Sequence, residues 1–468
     1  MATVDGTFES PARTAAMPEN AMDTSGFSSA PWPLWLRIVF RFVFSYWVLY
    51  NLPFPLNVSA GVGGGLFSGA SYLVNGYERL WQAFVPWVGA HILHLSGPIT
   101  YFMTGSGDTS SDYMRLLCIV VLAAIATLVW TLLDRKRKEY RPLYEGLRIY
   151  VRYALAFTLF VYGFSKWFHG QFAPPGLSRL AEPYGDFSPM GVLWAFMGVS
   201  YPYMWFTGAV EISGGALLLF RRTMTLGALV SIIAMTDVVI LNYFYDTPVK
   251  LYSTNLLLMA VFLLVPDVRR LINVFLLNRT ATPANIAFPW RRKWMRPTRI
   301  VIKIFVIAMA LYGSTFAMIR MTSKYRGALK HSPLYGIYNV EASAQSTARP
   351  GDDALRWRTV VFEYSTFASV FTMDDSHWYF PTRFDEAKKQ IVVLSGRDVA
   401  LDQRPGASRK KPTVVGTLTY DRPDADHLRL QGTLMNEPVD LRLRKVDATK
   451  YLLLNRGYHW ITEISFNR

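Results

Sequence analysis

The sequence predicts an α-helical integral membrane bundle of about seven spans, followed by an extracytoplasmic all-β domain that is a barrel or a sandwich. Three observations predict it. Seven apolar stretches fill the first two thirds of the chain. The loops between them alternate between poor and dense in Lys and Arg. From about Ser323 the apolar period changes to two. The domains that follow are a cytoplasmic tail over 1–30, a helical membrane domain over 31–322 and a β domain over 323–468.

The bulk numbers agree with this division. The 468 residues are 51% hydrophobic and 18% charged, and the mean hydropathy of +0.18 averages a very apolar part with an ordinary soluble one. The net charge of +16 does not imply nucleic acid. The basic residues stand beside apolar spans, where they fix orientation and meet anionic head groups. The single cysteine, Cys118, lies within an apolar run, so the chain can form no internal disulfide and holds no CxxC relay. Residues 1–30 are rich in Ser, Ala, Pro and acidic groups, without a basic start or an apolar core, and so do not read as a cleavable signal.

A span needs about 20 mostly apolar residues. The candidates are 33–52, 114–133, 147–168, 203–220, 223–243, 252–266 and 299–320. The shortest, 252–266, stops at Pro266. Residues 190–200 form a half-helix leading into the fourth span at Pro202. Residues 72–97, aromatic and broken by Pro86, suit a helix at the interface. The dense loops are 134–141 (DRKRKEYR), the Arg221–Arg222 turn and 269–296, with Arg269, Arg270, Arg279, Arg291, Arg292, Lys293 and Arg296. They are expected inside. The N-terminus is then cytoplasmic and the C-terminus outside, in a bacterial cytoplasmic membrane. Arg37 and Arg41, one turn apart at the inner end of the first span, can snorkel to the head groups.

Ionisable groups within spans are costly and mark functional hypotheses. Glu211 lies about eight residues below the outer end of the fourth span, roughly 12 Å deep. Asp237 lies about six residues below the end of the fifth, roughly 9 Å deep. Lys166 ends the third span on that same side, on one face with Arg148 and Arg152. It can pair with Glu211 or with Asp237. The loops beside them add His169, Gln171 and Asn242. The substrate-binding candidates are therefore Lys166, His169, Gln171, Glu211, Asp237 and Asn242, forming an outward-facing polar pocket. The alternative is a salt-bridge cluster that only orders the bundle. No residue is singled out as catalytic, no metal site is expected and no cofactor is specified. His91 and His94 form an i, i+3 pair on one predicted helix face, which without a carboxylate suits an aromatic interfacial helix better than a metal. GVGGG at 61–65 lacks a preceding strand and a following Lys, so it reads as a turn and not a phosphate loop.

The stretch from Arg152 to Arg270 resembles the DoxX family of small bacterial membrane proteins. The resemblance rests on Tyr162-Gly163-x-x-Lys166, on Gly208-x-x-Glu211 and on the short-loop hairpin that follows, with its basic inner turn. It covers about a quarter of the chain. It implies a four-helix core and a redox-associated role that involves a quinone or a thiol, with Lys166 and Glu211 as the matching residues. The chain departs from the family in its additional spans, its outer domain and the absence of cysteine from the matched stretch.

Beyond Leu334, eight segments read as short strands: LYGIYNVEA, RWRTVVFEY, SVFTM, QIVVLS, TVVGTLTYD, HLRLQGTL, VDLRLRKV and KYLLLN. Gly336-x-Tyr338 resembles the opening of lipocalin-like barrels. In the run 455–468, Trp460 is expected to plug the barrel, with His459 and Glu463 beside it. Two functions follow. One is a redox-associated membrane protein acting on a quinone or another small molecule at the outer leaflet. The other is a non-enzymatic membrane anchor presenting a ligand- or partner-binding β domain. The partners implied are the lipid bilayer and a quinone or another membrane or periplasmic protein, with no nucleic acid.

Overall fold

The computed structural model describes residues 31–57, 68–97, 106–281, 330–343, 356–395 and 413–464, with a few isolated positions besides. The tail over 1–30, the glycine run at 61–65 and most of the expected span at 299–320 lie outside the described residues.

The helices are α1 (Leu34–Asn51), α2 (Ser68–His91), α3 (Ser110–Leu133), α4 (Arg141–Trp167), α5 (Leu177–Ala181), α6 (Pro189–Val199), α7 (Tyr201–Leu218), α8 (Met224–Phe244), α9 (Lys250–Leu264), α10 (Val268–Phe275) and α11 (Leu452–Asn455). Their starts follow local chemistry. Thr109 and Asp112 form a capping box at the head of α3, the Thr109 hydroxyl accepting from the Asp112 N–H at 3.2 Å and the Asp112 carboxylate accepting from the Thr109 N–H at 2.9 Å. Pro142 stands in the first turn of α4, where its missing N–H costs nothing. The α9 N-terminus is capped from a distance: the Asp108 carboxylate accepts from the N–H groups of Lys250 and Leu251 at 2.7 and 2.9 Å.

Among the described residues, four helical segments are long and apolar enough to cross a membrane: α3, α4, α8 and the continuous stretch Lys250–Phe275. Seven were expected. The helices over 33–52 and 203–220 form as α1 and α7 but fall outside that set. Arg37 and Arg41 on α1, and Glu211 with several Gly and Ser residues on α7, reduce their apolarity. The span expected to stop at Pro266 does not stop there. A 3₁₀ turn at Val265–Asp267 absorbs the proline and carries the chain into α10.

The bundle is organised around α4. Leu147, Val151, Leu155 and Leu159 recur every four residues and are buried, so one face of α4 is the core. Against it pack α1, α7 and α9, with α8 closing the hairpin from α7. Arg41 does not snorkel. It is 1% exposed, donating to the Tyr140 hydroxyl at 2.7 and 3.1 Å, to Thr131 Oγ1 at 2.8 Å and to the Asp134 carbonyl at 2.8 Å. It therefore locks the α3–α4 turn onto α1. The expected interfacial helix is α2, packed through Trp81, Val85 and Val88 on Cys118 and Ile119 of α3. It ends at His91, and His94 lies beyond it at φ 48°, so the two histidines do not share a helix face.

The β domain is a closed eight-strand antiparallel barrel. Its strands are β1 (His331–Ser343), β2 (Trp357–Tyr364), β3 (Phe367–Thr372), β4 (His377–Asp385), β5 (Gln390–Leu394), β7 (Val414–Asp421), β8 (His427–Leu434) and β9 (Glu437–Val446), with a two-residue β6 (Arg397–Asp398) beside β4. Each pairs with its sequence neighbour in the barrel, and β9 returns to β1 to close it. Closure leaves no barrel edge to aggregate. The interior is filled by Tyr338, Trp357, Val360, Val370, Leu430 and their neighbours. The alternation expected from the sequence is observed, with two corrections. β4 was missed, because Pro381 and its polar residues hide the period of two. KYLLLN is not a strand: a 3₁₀ turn and α11 occupy it.

Candidate functional site

Four glycines draw α4, α7 and α8 together. A Cβ on Gly163 would stand 2.8 Å from the Gly208 carbonyl oxygen, and one on Gly208 would stand 2.8 Å from the Gly163 carbonyl oxygen and 3.2 Å from Lys166 Cβ. A Cβ on Gly215 would meet the Ala156 carbonyl at 3.0 Å, and one on Gly227 the Leu218 N at 2.7 Å. Only bare backbones allow this approach. One helical turn past the Gly163–Gly208 contact, Lys166 and Glu211 face each other. The Lys166 ammonium donates to both Glu211 carboxylate oxygens at 2.7 Å, with side chains 7% and 4% exposed. Of the two partners open to Lys166 from sequence, the structure pairs it with Glu211.

The pair forms part of the wall of a cavity of about 580 Å³ between α4, α6, α7, α8 and α9. Most of the lining is apolar and aromatic, including Phe172, Trp194, Tyr203, Phe206 and Tyr252. Asp237 enters it from α8, and Gln171 from the connection after α4. Asn242 lies at its end, where its amide donates to Ser253 Oγ at 3.0 Å. Gln171 Oε1 accepts from the Ser165 hydroxyl at 3.2 Å. Five of the six candidates thus share one cavity. The sixth, His169, is not in the lining: at φ 57°, its ring packs edge-on against Tyr201 at 4.2 Å. Sequence reasoning missed Thr247, which lines the cavity at 3% exposure with a hydroxyl that has no hydrogen-bond partner among the described residues. It lies in a loop after α8, and nothing in its neighbours marks it.

The connection that walls the cavity also touches the barrel. Phe172 is buried with Leu193, Met197 and Met204 beside the cavity. A few residues on, α5 places Leu177 against Ile337, Val361 and Phe371. These three face outward from the barrel, because their neighbours Tyr338, Val360 and Val370 face inward. Gly176 sits where a Cβ would collide with the Glu363 carboxylate, and the Ser178 N–H lies 3.4 Å from Glu363 Oε2. Tyr451, after β9, joins the same apolar cluster. The barrel therefore stands on the side of the bundle where α4 ends. The closing segment does not plug it: Trp460 is 85% exposed, and Trp357, Tyr338 and Phe362 fill the interior instead.

No protein-family profile matches the chain, and no solved structure matches it. A protein of Bacillus subtilis (strain 168), named "Uncharacterized protein YwoB", is 36% identical over 141 residues, which is 30% of this chain and 88% of that protein.

Proposed function

The chain belongs to the same family as YwoB of Bacillus subtilis (strain 168), and we propose that its helical bundle binds a small amphipathic molecule in the cavity walled by Lys166 and Glu211. One observation carries this reading. A cavity of about 580 Å³, within the usual range for small-molecule sites, is apolar over most of its wall and has a buried ion pair at one place. Apolar lining takes the body of a ligand, and the few polar groups orient its head. The contacts proposed are Lys166, Gln171, Glu211, Asp237 and Asn242, with His169 outside the lining. A four-helix DoxX-like core over 150–270 fits this role, and a quinone ring at the outer leaflet is one ligand of this kind.

The second reading is an anchor that presents a lipocalin-like barrel. It draws on the docking of α5 against β1, β2 and β3, which holds the barrel on one side of the bundle. The two readings are compatible, since the same connection serves both. We place the barrel outside a bacterial cytoplasmic membrane, supported by the Lys and Arg pattern and by the barrel's contact with the Lys-poor connection after α4.

The test is binding to the purified full chain in detergent micelles, followed by quenching of Trp fluorescence with a short-chain naphthoquinone. The expected result is saturable quenching that disappears in Val238→Trp, which fills the cavity, while the helical circular dichroism is retained. Equal quenching in both proteins would remove the cavity from the account.

A further inference from the structure

The cavity wall carries a net formal charge as well as an apolar surface. Three ionisable side chains of formal charge line it: Lys166, Glu211 and Asp237. Lys166 and Glu211 neutralise each other through two short hydrogen bonds. Asp237 makes no hydrogen bond or ion pair among the described residues, and it is exposed while Glu211 is buried. One carboxylate therefore stands uncompensated in a wall that is otherwise apolar, at a depth where an unpaired charge is costly.

The remaining polar groups add no formal charge to the lining. Asn242 is engaged with Ser253, and Thr158 with the Tyr252 hydroxyl at 3.3 Å. The Lys166 ammonium, the strongest donor, is already directed at two oxygens. The Thr247 hydroxyl is buried without a partner among the described residues. The cavity thus offers one uncompensated carboxylate, alongside neutral donors at Thr247 and at the Gln171 amide. An anion entering the cavity would meet the Asp237 carboxylate.

The apolar wall adds a third observation. Tyr162, Phe172, Trp194, Tyr203, Phe206 and Tyr252 contribute aromatic rings to the lining. Ring faces attract cations, more strongly where water is excluded.

From these observations we infer that the cavity selects lipophilic organic cations, the positive centre facing Asp237 and the apolar groups lying among the aromatic rings. This rests on the small-molecule reading above and names the ligand class. Asp237 supplies the charge preference, and the Lys166–Glu211 pair holds the wall without taking part in it.

The experiment uses the full chain in detergent micelles and tritiated tetraphenylphosphonium as the probe, with tetraphenylborate, of the same shape and opposite charge, as competitor. Saturable binding is expected, with at least tenfold preference for the phosphonium over the borate. Asp237→Asn should weaken phosphonium binding at least tenfold, and Asp237→Glu should hold it within threefold. Equal affinity for the two ions, or unchanged binding by Asp237→Asn, overturns the inference. The preference of the unaltered chain is itself decisive if either variant misfolds. A naphthoquinone that binds in the cavity while the phosphonium does not would sink the cation assignment and leave the small-molecule reading standing. Failure of both probes would sink both.

Discussion

Replacing Lys166 by Met tests the buried pair at the centre of the bundle. The substitution keeps most of the side chain's length and apolar stem but removes the ammonium, leaving Glu211 at 4% side-chain exposure without the donor that serves both of its oxygens. Stranding one member of a buried pair costs about 3–5 kcal/mol. A charge near the middle of a span is placed at about 2.5–3.5 kcal/mol by insertion scales, so two independent routes meet near 3 kcal/mol. Glu211→Gln should cost a similar amount by leaving the ammonium short of charge. The double variant, Lys166→Met with Glu211→Gln, removes both charges and should cost well under the sum, because an apolar or neutral replacement of a whole pair is often close to neutral. The assay is unfolding by SDS titration in mixed micelles, followed by far-ultraviolet circular dichroism, in a double-mutant cycle. A single-variant cost below about 1 kcal/mol, or a double variant as costly as the two singles added, would refute the reasoning that the pair is desolvated and mutually dependent.

Gly208→Ala should destabilise the bundle by about 1–3 kcal/mol through overpacking, since its Cβ would stand 2.8 Å from the Gly163 carbonyl oxygen; the same titration reads the loss, and an unchanged midpoint would contradict the close approach. Leu177→Asp puts a charge into the cluster with Ile337, Val361 and Phe371, and should free the barrel from α5 while each part keeps its secondary structure. Limited proteolysis between 168 and 190 is expected to accelerate in that variant, and an unaltered cleavage rate would count against the docking. Asp440 is held at about 2, below its usual 3.8, by its hydrogen bonds from Arg429, which outweigh the opposing effect of burial. A lowered carboxylate stabilises the fold above about pH 4 and loses that contribution as pH falls towards 2. Asp440→Asn should therefore lower stability at neutral pH and flatten the acid limb between pH 4 and 2 in barrel unfolding followed by near-ultraviolet circular dichroism, whereas an unchanged limb would show the pair to be solvated.

What the sequence determined by itself was whatever depends on periodicity and local cost. Runs of apolar residues can only bury themselves in lipid or in one another, so α3, α4, α8 and α9 were legible within a few residues. Alternation alone exposed seven of the eight barrel strands. β4 escaped because Pro381 and its charged neighbours break the period, and the KYLLLN segment misled because three consecutive leucines fit a short helix as readily as a strand. Depth counting brought Lys166, Glu211 and Asp237 to one level, since a helix rises by a fixed amount per residue. Which carboxylate the lysine takes was not legible. It depends on the azimuth at which α4 meets α7, and that is set by Gly163 and Gly208 approaching across the interface. The cavity, the unpartnered Thr247, the burial of Arg41 and the seating of the barrel on α5 are likewise contacts between residues far apart in the chain. The exposure of Trp460 belongs to the same class: an aromatic residue near the end of a β domain can fill its interior or lie outside it, and the interior is taken by Trp357, Tyr338 and Phe362 while Trp460 lies outside.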